Sequence, residues 1–259
     1  MTSPSWDPQQ YLAFAAERAR PFHDLVARIS TEPRRIADLG CGPGNMTATL
    51  LERWPSAYVE GIDSSPEMID AAARRATDRL TFTLGDIESW RPERPVDVIV
   101  ANASLQWVPT HVDLLPNWVE ALAPGGALAF QVPANADSPA SRAFRTVAER
   151  PRWASALVGA TVPTVSTYVR TVDHYLDLLA GLGCRVDAWE TTYRHVLPGD
   201  DAVLAWYSGT GLRPYLDRLD GADREEFRRE VAAELREAYP RRSYGTVLPF
   251  HRIFVIAYR

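Results

Sequence analysis

Three glycines and three aspartates carry the chemistry that the chain shows first. The stretch RIADLGCGPGN, residues 35–45, places Asp38 two residues before Gly40, and glycine recurs at 42 and 44. Asp63 then closes the run AYVEGID and Asp86 closes LTFTLGD. A glycine turn between a strand and a helix lets backbone N–H groups approach a ligand without Cβ obstruction. Each aspartate alone is a common strand-end cap; three at successive strand ends would line one crevice.

Three ligand types use such a turn: a nucleoside triphosphate, a dinucleotide and S-adenosylmethionine. A triphosphate loop requires Gly-Lys-Ser/Thr, whereas Gly44 is followed by Asn45, Met46 and Thr47, and the chain has no lysine at all. A dinucleotide turn is spaced G-x-G-x-x-G and rests its pyrophosphate on the helix N-terminus. A buried Asp38 would repel that pyrophosphate but complements an ammonium and a sulfonium, so the sign of the charge selects S-adenosylmethionine. Asp63 suits the two ribose hydroxyls, and Asp86 with the Ile87 N–H suits the adenine edge. Cys41, Ser64, Met68 and Asn102 join Asp38, Gly40 and Gly42 in the expected cofactor set.

These residues need βα units to position them. Apolar runs alternate with helical patterns from residue 35 to 132, the pattern of a mostly parallel sheet. Strands are expected at 35–40, 57–63, 80–86, 96–103 and 127–133, the fourth being the most uniformly apolar and so the most central. Helices are expected at 45–53, from a Ser65 cap with Pro66 at the first helical position, and at 112–122. Beyond 133 the beat is lost, and residues 134–170 read as one short helix and a mobile connection. A helix over 171–183, a long strand over 184–198, two helical blocks in 199–240 and a strand over 250–259 complete the chain.

Composition bounds the function. A net charge of −5 over 259 residues disfavours a nucleic-acid partner, which calls for a basic stripe. All 28 basic side chains are arginines, which excludes lysine Schiff-base chemistry and offers forks matched to carboxylates. Cys41 and Cys184 form neither a disulfide framework nor a metal cluster, so no metal is expected. The start MTSPSWDPQQY lacks a basic n-region, and no stretch approaches the ~18 apolar residues of a membrane span. A cytoplasmic protein with no membrane or obligate protein partner is the expectation.

The stretches DLGCGPGN, GIDSSPEMI, GDIESW and ANASLQWV resemble the class I S-adenosylmethionine-dependent methyltransferases. WDPQQYLAFAAERARPF, ANASLQWVPTH, WETTYRHVLP and WYSGTGLRPYL extend the resemblance, over nearly the whole chain, to the subfamily that esterifies the tricarboxylate trans-aconitate. The resemblance implies a Rossmann-like α/β fold, a seven-stranded sheet of order 3-2-1-4-5-7-6 with the last strand antiparallel, and a helical cap. Residues 1–259 then form one methyltransferase domain: a lid segment at 1–30, a cofactor core at 31–133, and cap insertions at 134–170 and 197–249. It also implies a monomethyl ester product, made by direct displacement on the sulfonium methyl.

A carboxylate nucleophile is already ionised at neutral pH and needs no general base, so none is assigned; His23, His111, His195 and His251 are given structural roles. The expected substrate contacts are Arg18, Gln106, Trp107, Tyr207 and Arg213, with Arg20 and Arg252 as weaker arginines and Tyr11 and Tyr244 as further hydroxyls. Alternatives keep the cofactor and change the acceptor to another small acid, an acyl-carrier carboxyl or a phenolic hydroxyl, or keep the pocket as a ligand sensor without turnover.

Overall fold

In the computed structural model, residues 15–157 and 168–259 are described. Helix α1 spans Ala15–Ala27, followed by β1 (Arg35–Leu39), α2 (Asn45–Arg53), β2 (Tyr58–Asp63), α3 (Pro66–Ala72), β3 (Leu80–Leu84) and β4 (Val96–Asn102). Then come α4 (His111–Glu120), β5 (Leu122–Pro133), α5 (Pro139–Ala148), α6 (Pro151–Ala154) and α7 (Val172–Gly181). The chain continues with β6 (Arg185–Leu197), α8 (Ala202–Ser208), α9 (Arg213–Leu216), α10 (Gly221–Ala238) and β7 (Thr246–Tyr258).

The seven strands form one mixed sheet in the order β3-β2-β1-β4-β5-β7-β6, the order that the resemblance implied. The β1–β2, β1–β4, β2–β3 and β4–β5 pairings are parallel. β4 lies between β1 and β5, and Val98, Ile99, Val100 and Ala101 are wholly buried, which explains its unbroken apolar run. β1 is anchored at its start by Asp97, whose Oδ2 accepts the N–H groups of Arg34 and Arg35, both at 2.8 Å. The expected Ser65 cap is present: its Oγ accepts the Met68 N–H at 3.3 Å, with Pro66 opening the helix.

Two expectations are corrected. β5 begins at Leu122, not at 127, because Leu122 already pairs with Val96 and the ladder resumes, after an irregularity, at Ala127. The APGG sequence that looked like a helix stop is carried inside that strand. Residues 134–157 contain two helices in place of one; α5 begins at a Ser138 cap that accepts the Ser141 N–H at 3.1 Å, and Pro151 opens α6.

The chain divides into two compact units. The first comprises residues 1–132, 168–191 and 253–259; the second comprises 133–167 and 192–252. In the first, Trp189 and Phe254 stack at 4.8 Å and the Arg28 guanidinium lies 4.0 Å over Trp189. His111, fully buried, is held between the Val108 carbonyl and the Tyr175 hydroxyl, each at 2.8 Å. Its Nδ1–H donates to Val108, so Nε2 accepts from Tyr175, whose oxygen in turn accepts the Arg170 N–H at 3.1 Å. Burial holds the imidazole below its usual range and pushes the Tyr175 phenol up to about 12, so the pair is neutral at pH 7.

In the second unit, α6, α9 and α10 pack through aromatic rings: Trp153 meets Phe227 edge-on at 5.6 Å, and Tyr215 stacks on Phe227 at 6.0 Å. Arg150 bridges Glu230 and Glu234, and Glu230 also accepts the Trp153 indole N–H at 3.0 Å. No helix among the described residues is long and apolar enough to cross a membrane.

Candidate functional site

At the carboxyl ends of β1 and β2 the first unit collects its acids around the glycine turn. Gly40, Gly42 and Gly44 all have left-handed backbones, with φ of 82°, 55° and 72°. They are glycine for different reasons. A Cβ at Gly40 would lie 2.3 Å from the Ser104 Cβ, and one at Gly44 would lie 2.6 Å from the Phe82 ring. A Cβ on Gly42 would meet nothing within 4 Å among the described residues, so that side of the turn is open among them. Gly40 therefore fits against protein, whereas the sequence suggested that it fits against ligand.

Asp38 is 2% exposed, and its Oδ2 accepts the Thr47 hydroxyl at 2.7 Å. Burial pushes this carboxyl up to about 7; the Thr47 bond favours the ionised form, and neighbouring Asp63 adds a push upward. Asp63 is fixed by two backbone donors: Oδ2 takes the Gly42 N–H at 2.8 Å and Oδ1 takes the Ser65 N–H at 2.9 Å. Burial raises its pKa too, opposed by the N–H groups of Ser65, Gly42 and Ser64. Each Asp63 oxygen retains acceptor capacity for a hydroxyl. Two carboxylates this close favour a positively charged ligand and oppose a pyrophosphate.

The remaining predicted cofactor residues take distinct positions. Cys41 is buried with a free thiol held upward in pKa, first by burial and then by Asp38 and Asp63, so it is neither a thiolate nor a nucleophile. Met68 is buried and Ser64 is exposed. Asp86 lies just beyond β3, exposed, with its Oδ1 on the Glu88 N–H at 2.9 Å, and Ile87 is buried beside it. Asn102 ends β4 and accepts the Gln131 amide at 2.6 Å.

The predicted substrate residues divide between the two units. Arg18 on α1 is half-buried and Arg20 is exposed; Gln106 is buried and Trp107 half-buried in the short 3-10 turn Leu105–Trp107 after β4. Tyr207 and Arg213 belong to the second unit. The Tyr207 ring is buried edge-on against Phe144 at 5.2 Å; its hydroxyl is buried with no hydrogen-bond partner among the described residues, and burial raises its pKa. Arg213 directs its Nε to Asp217 at 3.3 Å. Arg252 is 4% exposed, 4.9 Å over the Phe250 ring, and so more buried than Arg213. Tyr244 is exposed on the loop before β7, and Tyr11 lies outside the described residues.

Sequence reasoning missed Thr47 and Ser104. Thr47 had a signal: with Leu50 it marks the buried stripe of α2, which sets its hydroxyl under β1. Ser104 had none, since its bond to the Leu39 carbonyl, at 2.7 Å, spans 65 residues.

Sheet order and paired carboxylates together define a Rossmann-like class I methyltransferase fold. A methyltransferase-domain family profile matches residues 36–126. Among solved structures, the chain resembles a methyltransferase from Geobacter sulfurreducens in complex with S-adenosyl-L-homocysteine, at 16% identity and a TM-score of 0.55, covering 99% of this chain and 100% of that one. It also resembles the YcgJ protein of Bacillus subtilis, at 12% identity and a TM-score of 0.61, covering 94% and 98%. Trans-aconitate 2-methyltransferase of Streptomyces avermitilis is 52% identical, covering 99% of this chain and 97% of the relative. That of Rhodococcus jostii is 49% identical, covering 97% and 98%, and that of Mycobacterium tuberculosis is 46% identical, covering 97% and 96%. The chain belongs to the trans-aconitate 2-methyltransferase family.

Proposed function

We propose that this chain transfers a methyl group from S-adenosylmethionine to one carboxylate of trans-aconitate, giving a monomethyl ester. One observation carries the reading: the buried carboxylate of Asp38 and the half-buried carboxylate of Asp63 flank a glycine turn in which a Cβ on Gly42 would meet nothing among the described residues. When bound, the cofactor supplies an electrophilic methyl on a sulfonium. Asp38 balances its positive charge, Asp63 receives the ribose hydroxyls, and Ile87 with Asp86 borders the adenine. Cys41, Ser64, Met68 and Asn102 line the remainder.

The acceptor is a carboxylate with an ordinary pKa near ~4, so the site needs to orient it and exclude water, not deprotonate it. This matches the histidine at hand: His111 is neutral and engaged on both ring nitrogens. The other carboxylates of the substrate are assigned to Arg18, Arg213 and Tyr207, with Arg252 joining them. Trp107 packs beside the reacting groups. The same reading places the reaction in the cytoplasm, where the free thiols of Cys41 and Cys184 stay reduced.

The test is turnover with methyl-labelled cofactor and trans-aconitate, with cis-aconitate and citrate as comparison acids. A labelled trans-aconitate ester formed fastest is expected. Absence of any labelled ester, with cofactor binding intact, would overturn the assigned substrate.

A further inference from the structure

The side-chain amide of Gln106 has one end committed and one end open. Its Nε2 donates to the Ala103 carbonyl at 2.6 Å. This contact fixes the orientation of the amide, since a reversed group would press oxygen against oxygen at that distance. Oε1 is thus the other end, an acceptor only. It is buried, the residue is 4% exposed, and Oε1 has no hydrogen-bond partner among the described residues.

The surrounding turn is built to hold this amide rigidly. Ala103 has a left-handed backbone, φ 53°, uncommon for a residue with a Cβ. It is held there by its N–H on the Gln131 carbonyl at 3.0 Å and by the Gln106 amide on its own carbonyl. The next residue, Ser104, bonds to the Leu39 carbonyl and occupies the space that a Cβ on Gly40 would need. The turn carrying Gln106 is therefore clamped onto the glycine turn between β1 and α2. A buried acceptor left open in an otherwise satisfied turn calls for a donor from a ligand.

The two ligands of the proposed reaction differ in what they offer. A fully ionised tricarboxylate presents oxygen acceptors and no N–H or O–H donor. S-Adenosylmethionine presents the ammonium of its methionine end, two ribose hydroxyls and an adenine amine. Asp63 already suits the hydroxyls, and Asp86 lies at the adenine side. Resting on the methyl-transfer reading above, we infer that Gln106 belongs to the cofactor and not to the acid, its Oε1 receiving the methionine ammonium. This revises the role that the sequence suggested for Gln106.

Calorimetry of the purified chain tests the assignment without turnover, using S-adenosylhomocysteine and methylthioadenosine, which lacks the amino-acid end. Gln106→Met keeps the length and removes the acceptor. It is expected to weaken S-adenosylhomocysteine about tenfold and to leave methylthioadenosine unchanged, with the trans-aconitate KM at saturating cofactor also unchanged. Equal weakening of both nucleosides, unchanged binding of both, or a raised trans-aconitate KM would each overturn the inference. If Gln106→Met does not fold, Gln106→Glu keeps an acceptor oxygen and should retain or raise the wild-type preference for S-adenosylhomocysteine over methylthioadenosine; a fall in that preference overturns it. Because neither nucleoside measurement involves trans-aconitate, a wrong acid substrate would not disturb the result.

Discussion

The two compact units handle polarity in opposite ways. In the first, carboxylates are tied by hydrogen bonds: half-buried Asp63 holds the N–H groups of Gly42 and Ser65, half-buried Asp97 holds those of Arg34 and Arg35, and buried Asp38 takes the Thr47 hydroxyl. In the second, charges stay nearer the rim, as in the Arg150–Glu230–Glu234 cluster and the two-point Arg236–Asp201 pair, while the interior is aromatic. There His195, Trp206, Tyr207 and Phe250 meet ring to ring at 4.8 to 6.2 Å. On the proposed function, the first arrangement would select a ligand by the sign of its charge and the second by shape, with Tyr207 and Arg252 as polar groups among the aromatic rings.

The comparison breaks most sharply at the glycines. Gly40→Ala combines a left-handed backbone with a Cβ driven onto Ser104, and should destabilise by about 3 kcal/mol and abolish cofactor binding. Gly42→Ala carries only the conformational cost, about 1 kcal/mol, because its added Cβ would meet nothing among the described residues. Denaturant unfolding of the two variants side by side checks the difference; equal losses would mean that Ser104 yields and that the clamp is soft.

Asp38 supplies the next largest effect, and its sign can be worked out. Its folded pKa, raised from 3.8 to about 7, means that the folded state holds the proton more tightly than the unfolded chain. This contribution to the ligand-free protein is therefore full below pH 4 and is lost as pH rises through 7. Asp38→Asn should remove that loss, leaving the ligand-free protein more stable at pH 8 than its parent, yet should weaken S-adenosylhomocysteine by about tenfold to a hundredfold. Melting curves from pH 5 to 8, paired with calorimetry, read both. A variant that melts lower at pH 8 would show that ionised Asp38 is stabilising.

The smallest effect belongs to the second unit. Tyr207→Phe removes one hydroxyl and leaves the ring against Phe144, so it should raise the trans-aconitate KM by about tenfold, some 1–2 kcal/mol, without changing cofactor affinity. A changed cofactor affinity with an unaltered KM would reverse the roles given to the two units.

Legibility in the sequence followed the same division. The βα alternation and the Ser65 cap were readable because each rests on residues within a few positions of one another, whereas the sheet order came from the family resemblance, since it joins distant segments such as Ile36 and Val98. β5 was misread at its start, since APGG carries a helix-stop signal locally but pairs across the sheet, Leu122 lying opposite Val96. The second unit was hardest: α6 and its preceding residue join α10 through pairs such as Trp153–Phe227 and Arg150–Glu234, more than 70 residues apart. No periodicity within either segment encodes that partnership.

By itself the sequence determined which groups are present and in what local conformation: acids at strand ends, glycines where φ must be positive, arginines as the sole basic side chains. Only the tertiary structure decided which of these groups are buried and what each one faces. It placed Ser104 against Gly40, Thr47 beneath Asp38 and a lone acceptor on Gln106. The physical reason is that solvation and hydrogen-bond satisfaction are properties of assembled neighbours; a carboxylate acquires a pKa near 7, and an amide an unanswered oxygen, only when distant segments have excluded the water around them.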